Sequence, residues 1–274
     1  MENSTRLRKC IGDAHMLFAI NDLKVIDTMS GARLILPSGD NVFTLIPRPY
    51  VVEKLTRVNQ TIEALHALED AESKAEVRGI KRVPVAEDNG KYTTVGLKPN
   101  RGSTGIIESW PKTLSDWSKT QIRDLMKRCH EVAKGFIPGN DLRGLRSAQW
   151  FADWPSMVGM PSEPIWGSLA CGKNYCLNSH TDEDFFYSLT TIISQHGLQP
   201  GRFDKYQLDA DVTNYFAFAE QGVAVALRPG DMLLFNPLYQ HCLTSRTLQY
   251  QEKDVFCVSL YLKTAVVGGN NNTK

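Results

Sequence analysis

No apolar run in this chain approaches the roughly 20 residues that a membrane helix needs, so no membrane partner is expected. Cysteine is scarce: six residues, at 10, 129, 171, 176, 242 and 257, contain no C-x-x-C pair and are too sparse for a disulfide scaffold. Charge of one sign is also missing. The 31 basic and 30 acidic residues leave a formal net charge of +1, which excludes a polyanion-binding tail and leaves only local patches for nucleic-acid contact. The opening Met1-Glu-Asn-Ser-Thr-Arg-Leu-Arg-Lys9 is not followed by an apolar core of signal-peptide length. No internal repeat is visible. These absences point to a reduced intracellular compartment, cytoplasmic or nuclear. What is present is ordinary for a globular protein: 274 residues, 42% apolar and 22% charged, enough for one large domain or two small ones.

Three short strands are expected early, Leu23–Thr28, Ala32–Pro37 and Asn41–Pro47, each bounded by Gly, Pro or Asn/Asp. A helix is expected from about Pro49. Its apolar positions Val52, Leu55, Val58, Ile62, Leu65 and Leu68 recur at three- and four-residue steps, and it ends in a solvated charged face at Glu69–Glu76. Two basic segments, Arg78–Pro84 and Lys98–Ser103, flank a strand at Lys91–Leu97; they are either solvated loops or phosphate contacts. A second helix opens near Thr113, capped by Ser115 or Ser118, with an apolar stripe from Trp117 through Ile122, Leu125, Met126 and Cys129 to Val132 and a stop at Gly135. Residues 135–164 read as a long connection. Trp150, Trp154 and Trp166 either line a substrate entrance or pack in the core. From Ile165 the texture changes to eight short strand-like segments separated by Gly/Pro turns, which argues for a sandwich or barrel.

The chemistry concentrates in Asn178-Ser-His-Thr-Asp-Glu-Asp-Phe-Phe-Tyr187. His180 and Asp182 stand at i and i+2, which on an extended backbone share one side. His241 follows 61 positions later on another strand-like segment, after the turn Arg228-Pro-Gly-Asp231 and the apolar run Met232-Leu-Leu-Phe235. Two imidazoles and a carboxylate supply three ligands to a ferrous ion and leave three positions open for O2 and a chelating co-substrate. Other readings of the same residues stay open. Asp184 could replace Asp182, Cys176 and Cys242 could join His180 and His241 around zinc, or His180 could be a surface residue beside a solvated acidic cluster.

The segment from about 165 to 264 resembles the Fe(II)/2-oxoglutarate-dependent oxygenase superfamily. The resemblance rests on His180-x-Asp182, the distal His241, and Arg228-Pro-Gly-Asp-x-Leu-x-Phe235 between them; Gly172-Lys-Asn-Tyr175 is similar to a segment that precedes the motif in prolyl-hydroxylase-like members. A further similarity is to the thymine- and methylcytosine-oxidising branch. The resemblance implies an α+β fold with a double-stranded β-helix (jelly-roll) core and flanking N-terminal helices. Residues 1–160 would pack on and cover the barrel, 161–266 would form the catalytic core, and 267–274 a flexible tail. It implies Fe(II) on His180, Asp182 and His241, with 2-oxoglutarate and O2 consumed to give succinate and CO2 while a substrate C–H bond is oxidised. The far carboxylate of 2-oxoglutarate needs a cation. Family members usually carry it at the start of the final strand, where this chain has Val255, Phe256 and Cys257. Arg246 is the first candidate and Lys253 the second, while Tyr175 and Asn178 could hydrogen-bond the co-substrate or orient a ligand. The substrate class is open among a nucleobase, a protein side chain and a metabolite. A catalytically inactive binding module on the same fold, and a cupin-like iron enzyme that does not use 2-oxoglutarate, are the alternatives.

Overall fold

The computed structural model describes residues 23–73, 91–99, 106–149 and 166–267. The basic segment 78–84, Arg101, Trp150, Trp154 and the tail 268–274 lie outside these. Among the described residues no helix is long and apolar enough to cross a membrane.

Alternation of apolar side chains builds two facing sheets. The larger has eight strands in the order β2-β3-β13-β8-β15-β6-β4-β5, and the smaller five in the order β1-β12-β11-β14-β7. Their ranges are β1 Lys24–Ile26, β2 Ala32–Ile35, β3 Asn41–Leu45, β4 Lys91–Pro99, β5 Ile106–Ser109, β6 Ser168–Lys173, β7 Leu177–His180, β8 Ser188–Ile193, β11 Asn214–Phe218, β12 Val223–Leu227, β13 Met232–Phe235, β14 His241–Leu243 and β15 Phe256–Tyr261. A separate hairpin pairs β9 (Leu198–Gln199) with β10 (Arg202–Tyr206). Apart from the β9–β10 pair, the chain from β6 onward crosses from one sheet to the other at each step but β11 to β12: β6, β8, β13 and β15 lie in the larger, β7, β11, β12 and β14 in the smaller. That alternation is the double-stranded β-helix expected from the sequence, and the eight segments expected after Ile165 supply its strands. The early strands do more than flank it. β3 pairs with β13, β4 with β6 and β1 with β12, so both sheets draw on both halves of the chain.

Side-chain alternation sorts the two faces of the larger sheet. Leu189, Ile193, Leu234, Val258 and Leu260 point to one apolar cluster, which α2 (Val58–Ser73) and α3 (Asp116–Ala133) cover with Ile62, Leu65, Leu68, Ile122, Leu125 and Cys129. Ile192, Leu233 and Phe235 point the other way, into the space between the sheets, where they meet Phe216, Phe218, Val225 and Leu243. The helices thus close the back of the larger sheet, and its front faces the smaller one.

Three local expectations are corrected. The single helix from Pro49 is two, α1 (Arg48–Lys54) and α2, because Arg57 adopts φ +57° and turns the chain between them. Trp117 lies off the apolar stripe of α3 and is 44% exposed, while Ser115 is the residue that caps that helix, accepting from Ser118 N at 3.1 Å. Part of the 135–164 connection is helical, α4 (Gly139–Gln149), entered after Pro138 with Asp141 in the first turn, where a carboxylate favours the helix N-terminus. Trp166 is a packing residue, 2% exposed, with its indole N–H donating to Tyr187 O at 2.7 Å.

One buried cation pins the barrel's turns to the helices. Arg48, 2% exposed, ion-pairs with Asp231 and donates to the carbonyls of Leu208 (2.8 Å), Gln207 (2.5 Å) and Pro229 (2.8 Å). Asp231 also accepts from Arg228 N at 2.7 Å, which closes the Arg228-Pro-Gly-Asp231 turn around Gly230 at φ +86°. Burial raises the Asp231 carboxyl above its ordinary value, and the Arg48 guanidinium opposes that rise. A short helix α5 (Thr264–Val267) follows the last strand.

Replacing Arg48 with Met should strand Asp231 as a buried charge and lower stability by about 3–5 kcal/mol. The double variant Arg48→Met, Asp231→Leu should recover part of that loss, because the orphaned carboxylate is gone. Urea unfolding midpoints at constant m-value check both.

Candidate metal centre

β7 and β14 are antiparallel neighbours, and their register sets His241 opposite His180. Side chains directly opposite on one face of such a pair meet, and the two imidazole centroids are 4.4 Å apart. The extended i, i+2 geometry expected for His180 and Asp182 stops at His180, where β7 ends. Asp182 returns to the site by another route: its N–H donates to Pro237 O at 2.9 Å, tying it to the turn before β14. Asp182 Oδ2 then lies 3.4 Å from His180 Nε2 and 3.5 Å from His241 Nε2. Donors bound to one ion at roughly 2.0–2.2 Å each stand about 3–4 Å from one another, so these three atoms fit a common ion. Among the described residues this is the one group of three or more His, Cys, Asp or Glu donors that converges in this way.

The alternatives separate here. Asp184 is engaged elsewhere, accepting from Lys263 Nζ at 2.7 Å and from the Ser188 hydroxyl at 3.0 Å. Cys242 packs in a small apolar cluster with Leu23, Ala217 and Ala224, so it does not join the histidines.

The tautomer of His241 follows from its partner. Nδ1 lies 2.8 Å from Tyr239 O, a carbonyl that can only accept, so Nδ1 carries the proton and Nε2 offers its lone pair to the site. Phe216 stacks on the ring at 5.4 Å and 9°, and Phe235 tilts against it at 4.8 Å. His241 is 2% exposed, whereas His180 and Asp182 are partly open. Burial pushes the Asp182 carboxyl up, but the two imidazoles beside it, of His180 and His241, outweigh that and hold the group well below the usual carboxylate range. The site is therefore a carboxylate and two oriented imidazoles, walled by aromatic rings on one side and open on the other.

The open side faces a cavity of about 870 Å3 between the sheets, within the size range of small-molecule sites. Tyr175 lies on its wall. Tyr175 reaches that position because β6 carries Gly172 there: a Cβ at Gly172 would stand 2.7 Å from the Tyr175 Cβ. The Tyr92 ring packs on it at 5.3 Å. Asn178 is a backbone member of β7, and its side chain lies outside the described residues. Arg246 and Lys253 are not among the residues lining this cavity. Arg246 is 8% exposed and its Nη1 donates to Tyr250 O at 3.1 Å and Lys253 O at 2.7 Å; Lys253 Nζ lies 4.9 Å from the Tyr250 ring centroid. Lys98, from the second basic segment, and Cys257 line the cavity, and the sequence reading missed Ser259 and Lys263 beside them. The signal for Ser259 was a polar side chain at every second position of an otherwise apolar strand, as in Cys257-x-Ser259.

No protein-family model matches the chain, and no curated protein does. Solved structures do. NgTET1 in complex with 5mC DNA is similar over 98% of this chain and 91% of that one, with TM-score 0.53 and 11% identity. A prolyl-4-hydroxylase from Pseudomonas putida (TM-score 0.38, 7% identity, 86% and 94% covered) and a 2OG-Fe(II) oxygenase family oxidoreductase from Burkholderia pseudomallei (0.36, 11%, 73% and 78%) are further neighbours. The chain thus shares the double-stranded β-helix fold of NgTET1.

Asp182→Ala or His241→Ala should weaken Mn(II) binding by more than the roughly 10–100-fold typical of losing an outer partner of a metal ligand, read by calorimetry on the full chain. Gly172→Ala should displace Tyr175 and cost about 1–3 kcal/mol through overpacking, read as a shift in thermal midpoint.

Proposed function

We propose that this protein is an Fe(II)- and 2-oxoglutarate-dependent dioxygenase that oxidises a C–H bond of its substrate, with succinate and CO2 as co-products. The observation that carries the reading is the approach of His180 Nε2 and His241 Nε2 to one Asp182 oxygen, at 3.4 and 3.5 Å, beside a large cavity. Two nitrogens and one oxygen on one side suit Fe(II) and leave the opposite positions for small ligands. When bound, iron with 2-oxoglutarate supplies O2 activation and the oxidative power of decarboxylation.

This chain's own residues do the rest. His180, Asp182 and His241 bind the ion, and Tyr239 O fixes the orientation of His241. Phe216 and Phe235 exclude water from the buried side of the site. For the co-substrate, the set drawn from the sequence is Arg246, Lys253, Tyr175 and Asn178; Tyr175 is the member on the cavity wall. Residues 1–160 are assigned the selection of what enters, since Tyr92, Lys98 and Ile107 on β4 and β5 form part of that wall. The similarity to NgTET1 makes DNA carrying 5-methylated pyrimidines the first substrate to assay, ahead of peptides and metabolites.

Anaerobic addition of Fe(II) and 2-oxoglutarate should produce a weak visible charge-transfer band, and O2 should then release succinate. The absence of the band would identify a non-catalytic binding module. Turnover without 2-oxoglutarate would identify a cupin-like iron enzyme.

A further inference from the structure

We infer that Lys263, through its ion pair with Asp184, is the positioning residue that sets the Asp182 carboxylate against the two imidazoles. The inference rests on the metal centre of the function proposed above and assigns a residue that acts on that centre through its loop.

Asp182 lies beyond the strand ladder that holds His180. β7 ends at His180 and β8 begins at Ser188. Residues 181–187 therefore carry the carboxylate on a connection whose one strand-like bridge, among the described residues, joins Asp184 to Lys263. A ligand oxygen must nevertheless be held to within about 0.5 Å of its productive position. The Asp182–Pro237 hydrogen bond supplies one tether. Just past Asp182, three more run to the segment that follows β15. Lys263 Nζ meets Asp184 Oδ1 at 2.7 Å, Phe185 N donates to Leu262 O at 2.7 Å, and the Thr264 hydroxyl donates to Glu183 O at 2.8 Å. The second Asp184 oxygen accepts from the Ser188 hydroxyl at 3.0 Å, at the start of β8. With both oxygens engaged, Asp184 is held back from competing with Asp182 for the ion.

The anchor at the other end is firm. β15 pairs with β6 on one edge and with β8 on the other, and Val266 and Val267 of α5 are buried in the core behind the sheet. Lys263 stands between these two fixed points, its ammonium 4.8 Å from the Tyr261 ring centroid. Asp184 is 7% exposed, so its carboxylate relies on the ammonium and the Ser188 hydroxyl in place of water. The main-chain hydrogen bonds fix where the connection runs. The charge pair fixes how deep it sits, because drawing Asp184 outward would separate the two charges. Asp182 is two residues away on the same backbone and follows.

Charge alone and positioning predict opposite signs, and calorimetry with Mn(II) on the full chain, run well below each variant's unfolding midpoint, separates them. If Lys263 acted only through its charge, Lys263→Met would remove a repelling ammonium from the wall of a cation site and tighten Mn(II). As a positioning residue, its loss should weaken Mn(II) about 10–100-fold, the range for an outer partner of a metal ligand. Lys263→Arg, whose guanidinium also pairs with a carboxylate, should stay within about threefold of wild type. Asp184→Asn is close in shape and leaves no buried charge, so it carries the test if Lys263→Met does not fold; it should weaken Mn(II) about tenfold or more. The double variant Asp184→Asn, Lys263→Met should be no weaker than the weaker single variant, since the two residues act as a unit. Unchanged or tighter Mn(II) binding in Lys263→Met, unchanged binding in Asp184→Asn, a return to wild-type affinity in the double variant, or a loss in Lys263→Arg equal to that in Lys263→Met each overturns this inference alone. Failure of the wild-type protein to bind Mn(II) overturns the metal centre, and the dioxygenase reading with it.

Discussion

The pairing of β7 with β14 is the constraint on which the site depends. It sets His180 against His241 across two antiparallel strands, and everything else at the centre is adjustment. Because side chains alternate with a period of two, a slip of one residue would turn one imidazole out of the inter-sheet space. The strands are short, four and three residues, so their own ladder cannot hold that register. It is held by neighbours. β11 pairs with β14 on its other edge through Phe216–Leu243 and Ala217–Cys242, and the Asp182–Pro237 hydrogen bond fixes the connection at the mouth.

A second constraint works from the back of the molecule. Arg48 gathers Asp231 and three carbonyls from two separate loops, so the turn that launches β13 is fixed to α1. β13 in turn pairs with β8 and β3, and its Phe235 packs on His241. The route from a helix to a candidate metal ligand is therefore two contacts long. A buried ion pair of this kind adds little net stability over an apolar pair, but breaking it on one side leaves an expensive charge. Its value is positional.

The helices and the cavity divide the larger sheet between two tasks. Val258, Leu260 and Leu189 on one face hold α2 and α3, while Ser259, Cys257 and Ser188 on the other face a cavity. Adjacent residues of the same strand thus serve stability and chemistry, which lets the site be polar without weakening the core behind it. Lys173 strengthens this arrangement at the sheet's end, holding Glu69 of α2 and Asp254 before β15 at 3.2 Å each.

Much of this was legible beforehand. Turn residues and alternation marked the eight barrel strands, Ser115 or Ser118 signalled the start of α3, and His180-x-Asp182 with His241 stood out as candidate metal ligands. Those features are local: a turn, a cap or a ligand type is written in a few neighbouring residues. The break at Arg57 was not, because an unfavourable φ is chosen by the packing of two helices and not by arginine. Nor were the layers across β8, β15, β6 and β4, which depend on register between strands whose aligned residues stand 165 positions apart, as Thr94 and Ser259 do. The sequence by itself determined which residues could bind a metal and which segments would be strands. Only the tertiary structure decided which side chains share a cavity, placing Lys98 on its wall and Arg246 among main-chain carbonyls, because non-local pairing and not sequence distance sets who faces whom.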